Sequence, residues 1–216
     1  MLPKIPKQEY QLVELIKTDD SNNIELALRL ASANKIELLW YRQLYDWLYR
    51  IGKIGVTYSN QEKMIYRLLS IVELNYHHKQ LKNITACIAG LHNLTALRLY
   101  SNELKVLPDT IGRLSALKTL ILTKNQISNL PATIGQLTNL EEMWLGFNQL
   151  NELPKNIALL SQLKSLYLQH NKLHHIDEGL LQSEQLKTCY IFANPLQKGL
   201  LYYQQNYPAC QFKNEY

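Results

Sequence analysis

Cysteine is scarce in this chain of 216 residues: only Cys87, Cys189 and Cys210 occur. Small secreted domains that depend on disulfides carry many cysteines in even number, so three cysteines argue against a disulfide framework. This usage is typical of a reducing compartment, and we expect a cytoplasmic protein. An effector exported by a non-classical route would share the same composition.

Long hydrophobic runs are also missing. A membrane-spanning helix needs about 20 consecutive apolar residues, and no stretch of this sequence approaches that length. The N-terminal segment MLPKIPKQEYQLVELIK has no apolar run of the signal-peptide type. The sequence therefore predicts no membrane span.

No block of like charge occurs either. The 23 Lys and Arg residues against 18 Asp and Glu give a formal charge of +5. Residues 1–70 hold 10 basic and 8 acidic residues, and residues 71–216 hold 13 and 10. A surface that follows nucleic-acid phosphates concentrates Lys and Arg on one face. The small, even excess therefore predicts no nucleic-acid partner.

Motifs of catalysis are absent as well. The chain has no glycine-rich phosphate loop, no G-x-S-x-G, no H-E-x-x-H and no zinc-knuckle spacing. The pairs His77-His78 and His174-His175 make no natural chelate by themselves, because neighbouring residues on a strand point to opposite faces. We expect a protein that is not an enzyme and has no catalytic residues, no cofactor and no metal site.

What the sequence does contain is a repeat of 23 residues. Five copies of L-x-x-L-x-L-x-x-N-x-L follow one another without an insertion, with Met, Cys or Ile replacing Leu at a few positions. A helical bundle with leucine-rich faces does not fit, since Leu-x-Leu has the two-residue period of a strand and proline recurs between the strings. The five strings begin at Leu94, Leu117, Leu140, Leu163 and Leu186.

A second half, L-P-x-x-I-G-x-L, follows each string and weakens toward the C-terminus. It is complete at residues 107–114 and 130–137, has Ala158 in place of glycine in the third copy, and has Asp177 in place of proline in the fourth. A degenerate copy over residues 71–91 keeps the apolar skeleton but lacks the asparagine and the proline. Terminal repeats are often atypical because they close the stack against water.

These motifs resemble the leucine-rich repeat family, in the 23-residue LPxxIG variety common in intracellular proteins, over about residues 71–213. The resemblance implies an α/β solenoid, a leucine-rich repeat horseshoe with a parallel sheet on its concave side. Each Leu-x-Leu is then a short strand with two inward residues. The asparagine side chains are expected to form a ladder that satisfies backbone groups left unpaired where the chain turns away from the strand.

The two ends lack the repeat, and we predict three regions. Residues 1–70 contain four helical segments, one of them with Asn22 and Glu25 spaced as a capping box, and are interpreted as a helical N-terminal capping domain. The leucine-rich repeats, about six with the first degenerate, occupy 71–196. Residues 197–216 are interpreted as a short C-terminal cap, with a helix at about 198–205 and a strand at about 209–213. An independent functional domain in 1–70 remains the alternative.

Two interpretations of Cys189 stay open. It stands at an inward position where leucine stands in other repeats, which indicates a small core residue. If the strand of the C-terminal cap lies beside the fifth repeat, a bridge between Cys189 and Cys210 is geometrically conceivable.

The outward side of the sheet is the most informative feature for function. The residue between the two inward leucines points out of the sheet, and the next outward position follows two residues later. Aromatic residues and Arg, which are enriched at interface hot spots, cluster at neighbouring points of this surface. The candidate partner-binding residues are Arg98, Tyr100, Ile121, Trp144, Phe147, Tyr167, Tyr190 and Phe192.

Three functions are compatible with these observations. The first is a monomeric scaffold that binds a partner protein through the aromatic concave face. The second is the targeting module of a larger enzyme or effector, which a longer native chain would support. The third is a structural or envelope-associated protein, which detection outside the cytoplasm would support. The sequence favours the first.

The helical block leads to the first prediction. A chain that starts near Ile71 should aggregate, or melt well below the full chain, because removing residues 1–70 would expose the apolar end of the first repeat. Thermal melts and light scattering of the two chains make the comparison. A shortened chain that is monomeric and equally stable would show that residues 1–70 form a separate domain.

Overall fold

A computed structural model describes residues 47, 48, 50, 68–207 and 211–212. The chain divides into two compact units, one of Met1–Ile71 with Thr85–Asn93 and one of Val72–Ile84 with Leu94–Tyr216. The capping box, almost all of the four predicted N-terminal helices, and Cys210 lie outside the described residues. The predicted domain boundaries and the proposed bridge to Cys210 therefore stay predictions.

The second unit is built on one parallel sheet of seven strands, arranged in the order in which they occur along the chain. Successive strands from the second to the sixth are 23 residues apart in register, so each repeat contributes one strand at the same place. The predicted α/β solenoid is confirmed for this unit. The strands are β1 (Glu73–Asn75), β2 (Ala96–Arg98), β3 (Thr119–Ile121), β4 (Glu142–Trp144), β5 (Ser165–Tyr167), β6 (Thr188–Tyr190) and β7 (Gln211–Phe212).

The first six strands are three residues long, and the middle residue of each points into the core. These middle residues are almost fully shielded from solvent. Because side chains alternate along a strand, the residues on either side of them point outward. The inward residues are Leu74, Leu97, Leu120, Met143, Leu166 and Cys189.

Short helices return the chain to the next strand. In the second unit, 3-10 helices span Asp109–Arg113, Ala132–Gln136 and Lys155–Leu159, each preceded by a proline in extended conformation. In the fourth repeat, Asp177 replaces the proline and its carboxylate accepts a hydrogen bond from the Leu180 amide at 3.2 Å. An aspartate at this position is a strong helix cap, and the return segment here is an α-helix, α1 (Glu178–Leu181).

Two glycines allow these 3-10 helices to approach one another closely. A β-carbon at Gly112 would lie 2.3 Å from the Thr133 carbonyl oxygen, and one at Gly135 would lie 2.2 Å from the Asn156 carbonyl oxygen. Both contacts are far inside van der Waals distance, so only glycine fits. Ala158 stands at the equivalent position of the last 3-10 helix and is exposed, which explains why the repeat tolerates a side chain there.

Asparagines, all buried except the half-buried Asn194, connect each repeat to the one before it. The Asn148 carboxamide oxygen accepts from the Ile127 amide at 3.0 Å, and its nitrogen donates to the carbonyls of Leu122 and Leu145, both at 3.0 Å. The same pattern recurs through the stack, which confirms the predicted ladder. Its members are Asn102, Asn125, Asn148, Asn171 and Asn194.

A left-handed residue stands directly before every ladder asparagine. Each has a φ between 51° and 57°, a region that costs a residue with a β-carbon roughly 1–2 kcal/mol. The ladder asparagine bonds back to the carbonyl three residues earlier, as Asn148 does to Leu145, and so holds the turn in place. The left-handed residues are Ser101, Lys124, Phe147, His170 and Ala193, and His78 has the same conformation in the degenerate repeat.

The C-terminal region contains the helix α2 (Gly199–Asn206) and β7, which pairs with β6. The hydroxyl of the buried Tyr203 accepts from the Ile176 amide at 3.1 Å. The Glu178 carboxylate accepts from the ammonium of Lys198 and from the Tyr202 hydroxyl. Burial, and then the contact with Glu178, raise the pKa of Tyr207 to about 12. These contacts attach α2 to the fourth repeat; that α2 and β7 act as a cap stays a prediction.

The ladder leads to a prediction about stability. Replacing Asn148 with Ala (Asn148→Ala) should lower the free energy of unfolding by about 1–3 kcal/mol, because buried backbone groups of two repeats lose their partner. The neighbouring Gln149 is exposed, so Gln149→Ala should stay within about 0.5 kcal/mol of the original protein. Urea denaturation measures the free energy of unfolding of both variants. Equal effects would show that the ladder asparagine does not stabilise the two repeats that it connects.

The glycine contacts lead to a second prediction about stability. Gly135→Ala should destabilise the protein by about 1–3 kcal/mol, because its β-carbon would press on the Asn156 backbone. The reverse exchange at the equivalent exposed position, Ala158→Gly, should cost no more than about 1 kcal/mol. Thermal melts compare the two, and a neutral Gly135→Ala would show that the 3-10 helices can separate without cost.

Candidate functional site

The outer face of the sheet is formed by side chains aligned in columns across the strands. The last residues of β1 to β6 pair in register and form the first column. The residues two positions further along each repeat form a second column, and the left-handed residues form a third. The first column consists of Asn75, Arg98, Ile121, Trp144, Tyr167 and Tyr190, and the second of His77, Tyr100, Thr123, Gly146, Gln169 and Phe192.

The first column contains a row of three stacked rings. The centroids of Trp144 and Tyr167 are 3.7 Å apart with planes inclined by 15°, and those of Tyr167 and Tyr190 are 4.8 Å apart with an inclination of 19°. The indole Nε1 of Trp144 also donates to the Glu142 carboxylate at 3.3 Å. All three rings are partly exposed. We call Trp144, Tyr167 and Tyr190 the ring row.

The environment of the ring row disfavours ionisation of the Tyr167 hydroxyl. Partial burial, followed by the proximity of Tyr190 and Glu142, raises the pKa of Tyr167 above its usual value near 10. A phenol with a raised pKa carries its proton at neutral pH and can donate a hydrogen bond. The ring row therefore offers apolar ring area together with a hydrogen-bonding hydroxyl.

A second aromatic group lies where the strands end. His170 stacks on Phe147 with centroids 4.2 Å apart and meets the Phe192 ring edge-on at 5.5 Å. The ammonium of Lys124 lies 5.8 Å from the centroid of Phe147, within range of a cation–π interaction. Phe147 is 40% exposed, which is high for a large apolar side chain. Tyr190 links the two groups through an edge-on contact with Phe192 at 6.2 Å.

The structure brings most of the sequence-predicted site residues together and leaves two of them apart. Trp144, Tyr167 and Tyr190 form the ring row, Phe147 and Phe192 belong to the second group, and Ile121 is the register partner of Trp144. Arg98 and Tyr100 lie apart from these rings. The Arg98 guanidinium bonds to Glu73 at 2.9 Å and to Asn75 at 3.2 Å, and the Tyr100 ring contacts His77 at 4.2 Å and His78 at 4.7 Å.

Several side chains of this surface were not among the predicted site residues. Lys124 and His170 are left-handed residues that the sequence analysis did not include, whereas the left-handed Phe147 was among the predicted site residues. The position of Lys124 and His170 directly before a repeat asparagine could have identified them from the sequence. The left-handed turn at that position directs the side chain back over the sheet. Glu142 was missed because only its contact with Trp144 shows that it belongs to the surface.

A polar strip separates the ring row from the second aromatic group. We define it as Thr123, Gly146 and Gln169, which follow one another on adjacent strands of the second column. The Gln169 side chain lies over Gly146: a β-carbon there would be 2.7 Å from Gln169 Cδ. Thr123 Oγ1 and Gln169 Oε1 are both buried, and neither has a hydrogen-bond partner within the described part of the chain.

Lysines and a glutamate form an ion-pair group at the start of the strands. The Glu141 carboxylate lies 3.7 Å from the Lys118 ammonium and 2.5 Å from that of Lys164. The hydrogen bond and charge of Lys164, together with Lys118, lower the pKa of Glu141. The Glu141 carboxylate therefore offsets part of the positive charge of the two exposed lysines.

The described residues form neither of two other kinds of site. Over residues 68–207, no three His, Cys, Asp or Glu side chains come close enough to form a group that could hold a metal ion. In the same part of the chain, no helix has the length and apolar character needed to cross a membrane.

Comparisons with known proteins agree with the geometry of the repeats. A profile of the leucine-rich repeat region matches residues 56–199, which is two thirds of the chain. A search of curated protein sequences finds no significant match. Among solved structures, 285 chains are significantly similar to this one.

Three of these structures illustrate the range. A leucine-rich repeat protein of Leptospira interrogans is 29% identical, with a TM-score of 0.53 over 71% of this chain and 47% of its own length. The leucine-rich repeat ectodomain of the receptor kinase SOBIR1 from Arabidopsis thaliana is 26% identical, with a TM-score of 0.52. The match covers 57% of this chain and 70% of the ectodomain. A chain of the LRIM1/APL1C complex is 23% identical, with a TM-score of 0.52, and the match covers 56% of this chain and 23% of that one. At this identity the likeness shows the fold alone. The chain spans about half the length of the Leptospira protein.

Proposed function

This chain belongs to the leucine-rich repeat family, and we propose that it is a protein-interaction scaffold that binds a partner protein through the aromatic outer face of its sheet. Proteins of this family are commonly binding scaffolds and typically not enzymes. Because the sheet of a leucine-rich repeat horseshoe is expected on its concave side, the proposal takes this face as the concave one. The observation that supports the proposal is the ring row together with the adjacent Phe147.

The surface has the composition of an interface centre. Tyrosine and tryptophan provide large contact areas at little cost in side-chain entropy, and they are enriched among residues that dominate binding energies. The stacking of Trp144 on Tyr167 at 3.7 Å restricts both rings before a partner arrives. A rigid surface loses less conformational freedom on binding. Seven strands at roughly 4.8 Å spacing give a face wide enough for a helix or a loop of a partner.

The proposal includes a monomeric chain that works in the cytoplasm without a cofactor. The support is compositional, since only three cysteines occur, and Cys87 and Cys189 are buried. Fractionation of the source cells with an antibody against the chain tests the location. Recovery outside the cytoplasm would favour an exported effector or an envelope-associated structural protein instead.

A second candidate function is the targeting module of a larger enzyme. The observation in its favour is that one matched structure is the ectodomain of a receptor kinase, in which a leucine-rich repeat region is joined to an enzyme. The mass of the native protein in source cells distinguishes the two. A mass well above 25.2 kDa would favour this second function.

The binding proposal predicts opposite effects for two adjacent residues. Trp144→Ala should weaken partner binding by about 2 kcal/mol or more, because it removes the largest ring of the ring row. It should cost only about 0.5–1.5 kcal/mol of stability from the lost stacking with Tyr167. Leu145 is fully buried, so Leu145→Ala should cost roughly 2–5 kcal/mol of stability.

The experiment captures partners from a lysate of the source organism with the full chain and then titrates each purified partner against the variants. Leu159→Ala is the matched control. Leu159 is an apolar residue that is 60% exposed, and it lies in the 3-10 helix Lys155–Leu159 and not in the sheet. If Trp144→Ala and Leu159→Ala bind equally well, the working surface lies elsewhere. If Trp144→Ala unfolds the protein, the side chain contributes to the core.

A further inference from the structure

We propose that the partner segment that docks on the ring row presents an aromatic side chain, whose ring lies flat across the exposed edges of Trp144, Tyr167 and Tyr190. This inference rests on the proposed function, because it names the chemistry of the partner that the same face binds. The ring faces inside the row are closed to a partner, and the ring edges remain open.

Both faces of Tyr167 are turned toward another ring. Its centroid lies 3.7 Å from that of Trp144 and 4.8 Å from that of Tyr190, with inclinations of 15° and 19°. A group inserted between two rings needs about 3.5–4 Å on each side, so neither gap admits one. All three rings are nonetheless partly exposed. Because the ring faces point along the column, from strand to strand, the part of Tyr167 that a partner can reach is its edge.

Phe147, which follows β4, shows the same arrangement in the second aromatic group. His170, which follows β5, stacks on it with centroids 4.2 Å apart and planes inclined by 18°. Lys124, which follows β3, places its ammonium 5.8 Å from the Phe147 centroid. Since β3 and β5 flank β4 on opposite sides, the two groups cover opposite faces of the ring. The 40% of Phe147 that is exposed therefore consists mainly of ring edge.

The charge distribution of an aromatic ring decides which side chain matches a surface of ring edges. A ring has a partly negative face and a partly positive edge. Cations bind ring faces, so a Lys or Arg of the partner finds little to bind on the row. A carboxylate would lose its hydration against ring carbon, and an aliphatic side chain has no negative face to match the edges. An aromatic side chain supplies both apolar area and a negative face.

Rings of different columns on this surface already meet edge-on. Phe192 meets His170 at 83° with centroids 5.5 Å apart, and it meets Tyr190 at 64° with centroids 6.2 Å apart. Both separations lie within the range of about 4.5–7 Å that aromatic pairs prefer. Trp144 and Tyr167, which share a column, stack instead. A partner ring approaches the row from outside its column, and a flat ring can meet the edges of two neighbouring rings at once.

The test selects a displayed library of random dodecapeptides on the full chain and keeps the peptides whose binding is lost with Trp144→Ala. We expect Phe, Tyr or Trp at one fixed position of these peptides. Each is then synthesised with Phe and with cyclohexylalanine at that position. Cyclohexylalanine keeps the size and apolar character of Phe but has no negative ring face, so its dissociation constant should be roughly three- to tenfold higher. Pentafluorophenylalanine, whose fluorines reverse the charge of the ring face, should bind no better than cyclohexylalanine.

Variants of the chain locate the contact on the ring row. Tyr167→Leu keeps an apolar side chain in the row but removes its middle ring edge, so the preference for Phe over cyclohexylalanine should fall. Tyr167→Phe keeps the edge and should keep the preference. Tyr202→Leu is the matched control: Tyr202 is a partly exposed tyrosine of α2 whose hydroxyl bonds to Glu178, outside the sheet. It should leave the affinities of both peptides unchanged.

Nuclear magnetic resonance of chains with labelled tyrosine reads the geometry directly. Hydrogens that lie over a ring face are shielded by its ring current, so the edge hydrogens of Tyr167 should move upfield when the Phe peptide binds. The Tyr167→Phe variant identifies their signal. A downfield shift, which places these hydrogens in the plane of the partner ring, or no shift at all, would overturn the flat orientation.

The other outcomes overturn the inference in distinguishable ways. Peptides that depend on Trp144 but carry an aliphatic or charged residue at the fixed position contradict the aromatic occupant and leave the proposed function intact. The same holds if Phe and cyclohexylalanine bind equally well, or if Tyr167→Leu keeps the preference. If Tyr167→Leu does not fold, the two peptides still decide the question on the unchanged chain. If no enriched peptide depends on Trp144, both the inference and the proposed function fail.

Discussion

The hydrogen bonds of the ladder asparagines hold the turns that end strands β2 to β6 of this solenoid. Each of these side chains satisfies an amide of the previous repeat and carbonyls of both repeats, as Asn148 does with Ile127, Leu122 and Leu145. That arrangement stabilises the left-handed residue before it, which otherwise has an unfavourable backbone conformation. Because the turn is the same in each repeat, the strands stay in register and equivalent side chains align across the sheet.

This alignment explains how the repeat can carry a binding surface. Neighbouring parallel strands lie about 4.8 Å apart, close to the distance at which aromatic rings stack. Trp144, Tyr167 and Tyr190 therefore stack because they share a column, and not because one repeat folds specially. Outward positions do not take part in the core, so their side chains can change without disturbing the inward leucines. The surface can consequently be specialised while the scaffold stays constant.

The sequence predicts the scaffold better than it predicts the surface. The 23-residue period determined the strands and the inward residues, because burying an apolar face imposes a strict two-residue pattern. It also predicted the ladder, because a buried turn must satisfy its backbone groups. The outward residues obey no such pattern. The contact of Lys124 and His170 with Phe147 depends on the left-handed turn, and the position of Gln169 over Gly146 depends on how a flexible side chain fills an adjacent space. The α-helical form of the fourth return segment likewise follows from the Asp177 cap, whose consequence is visible only in its bond to Leu180.

The distribution of charge also argues for a neutral partner surface. The whole chain carries a formal charge of +5, yet Arg98 is the only charged residue in the first two outward columns, and it is paired with Glu73. Lys118 and Lys164 share Glu141 at the start of the strands. A protein that follows nucleic-acid phosphates would place its basic residues unpaired on its broadest face. Here the described part of that face is aromatic and polar, and its two basic residues are Arg98, paired with Glu73, and Lys124, which lies over Phe147. In the proposed scaffold we therefore expect charge to contribute to solubility more than to recognition, and shape, ring contacts and a few hydrogen bonds to discriminate between partners.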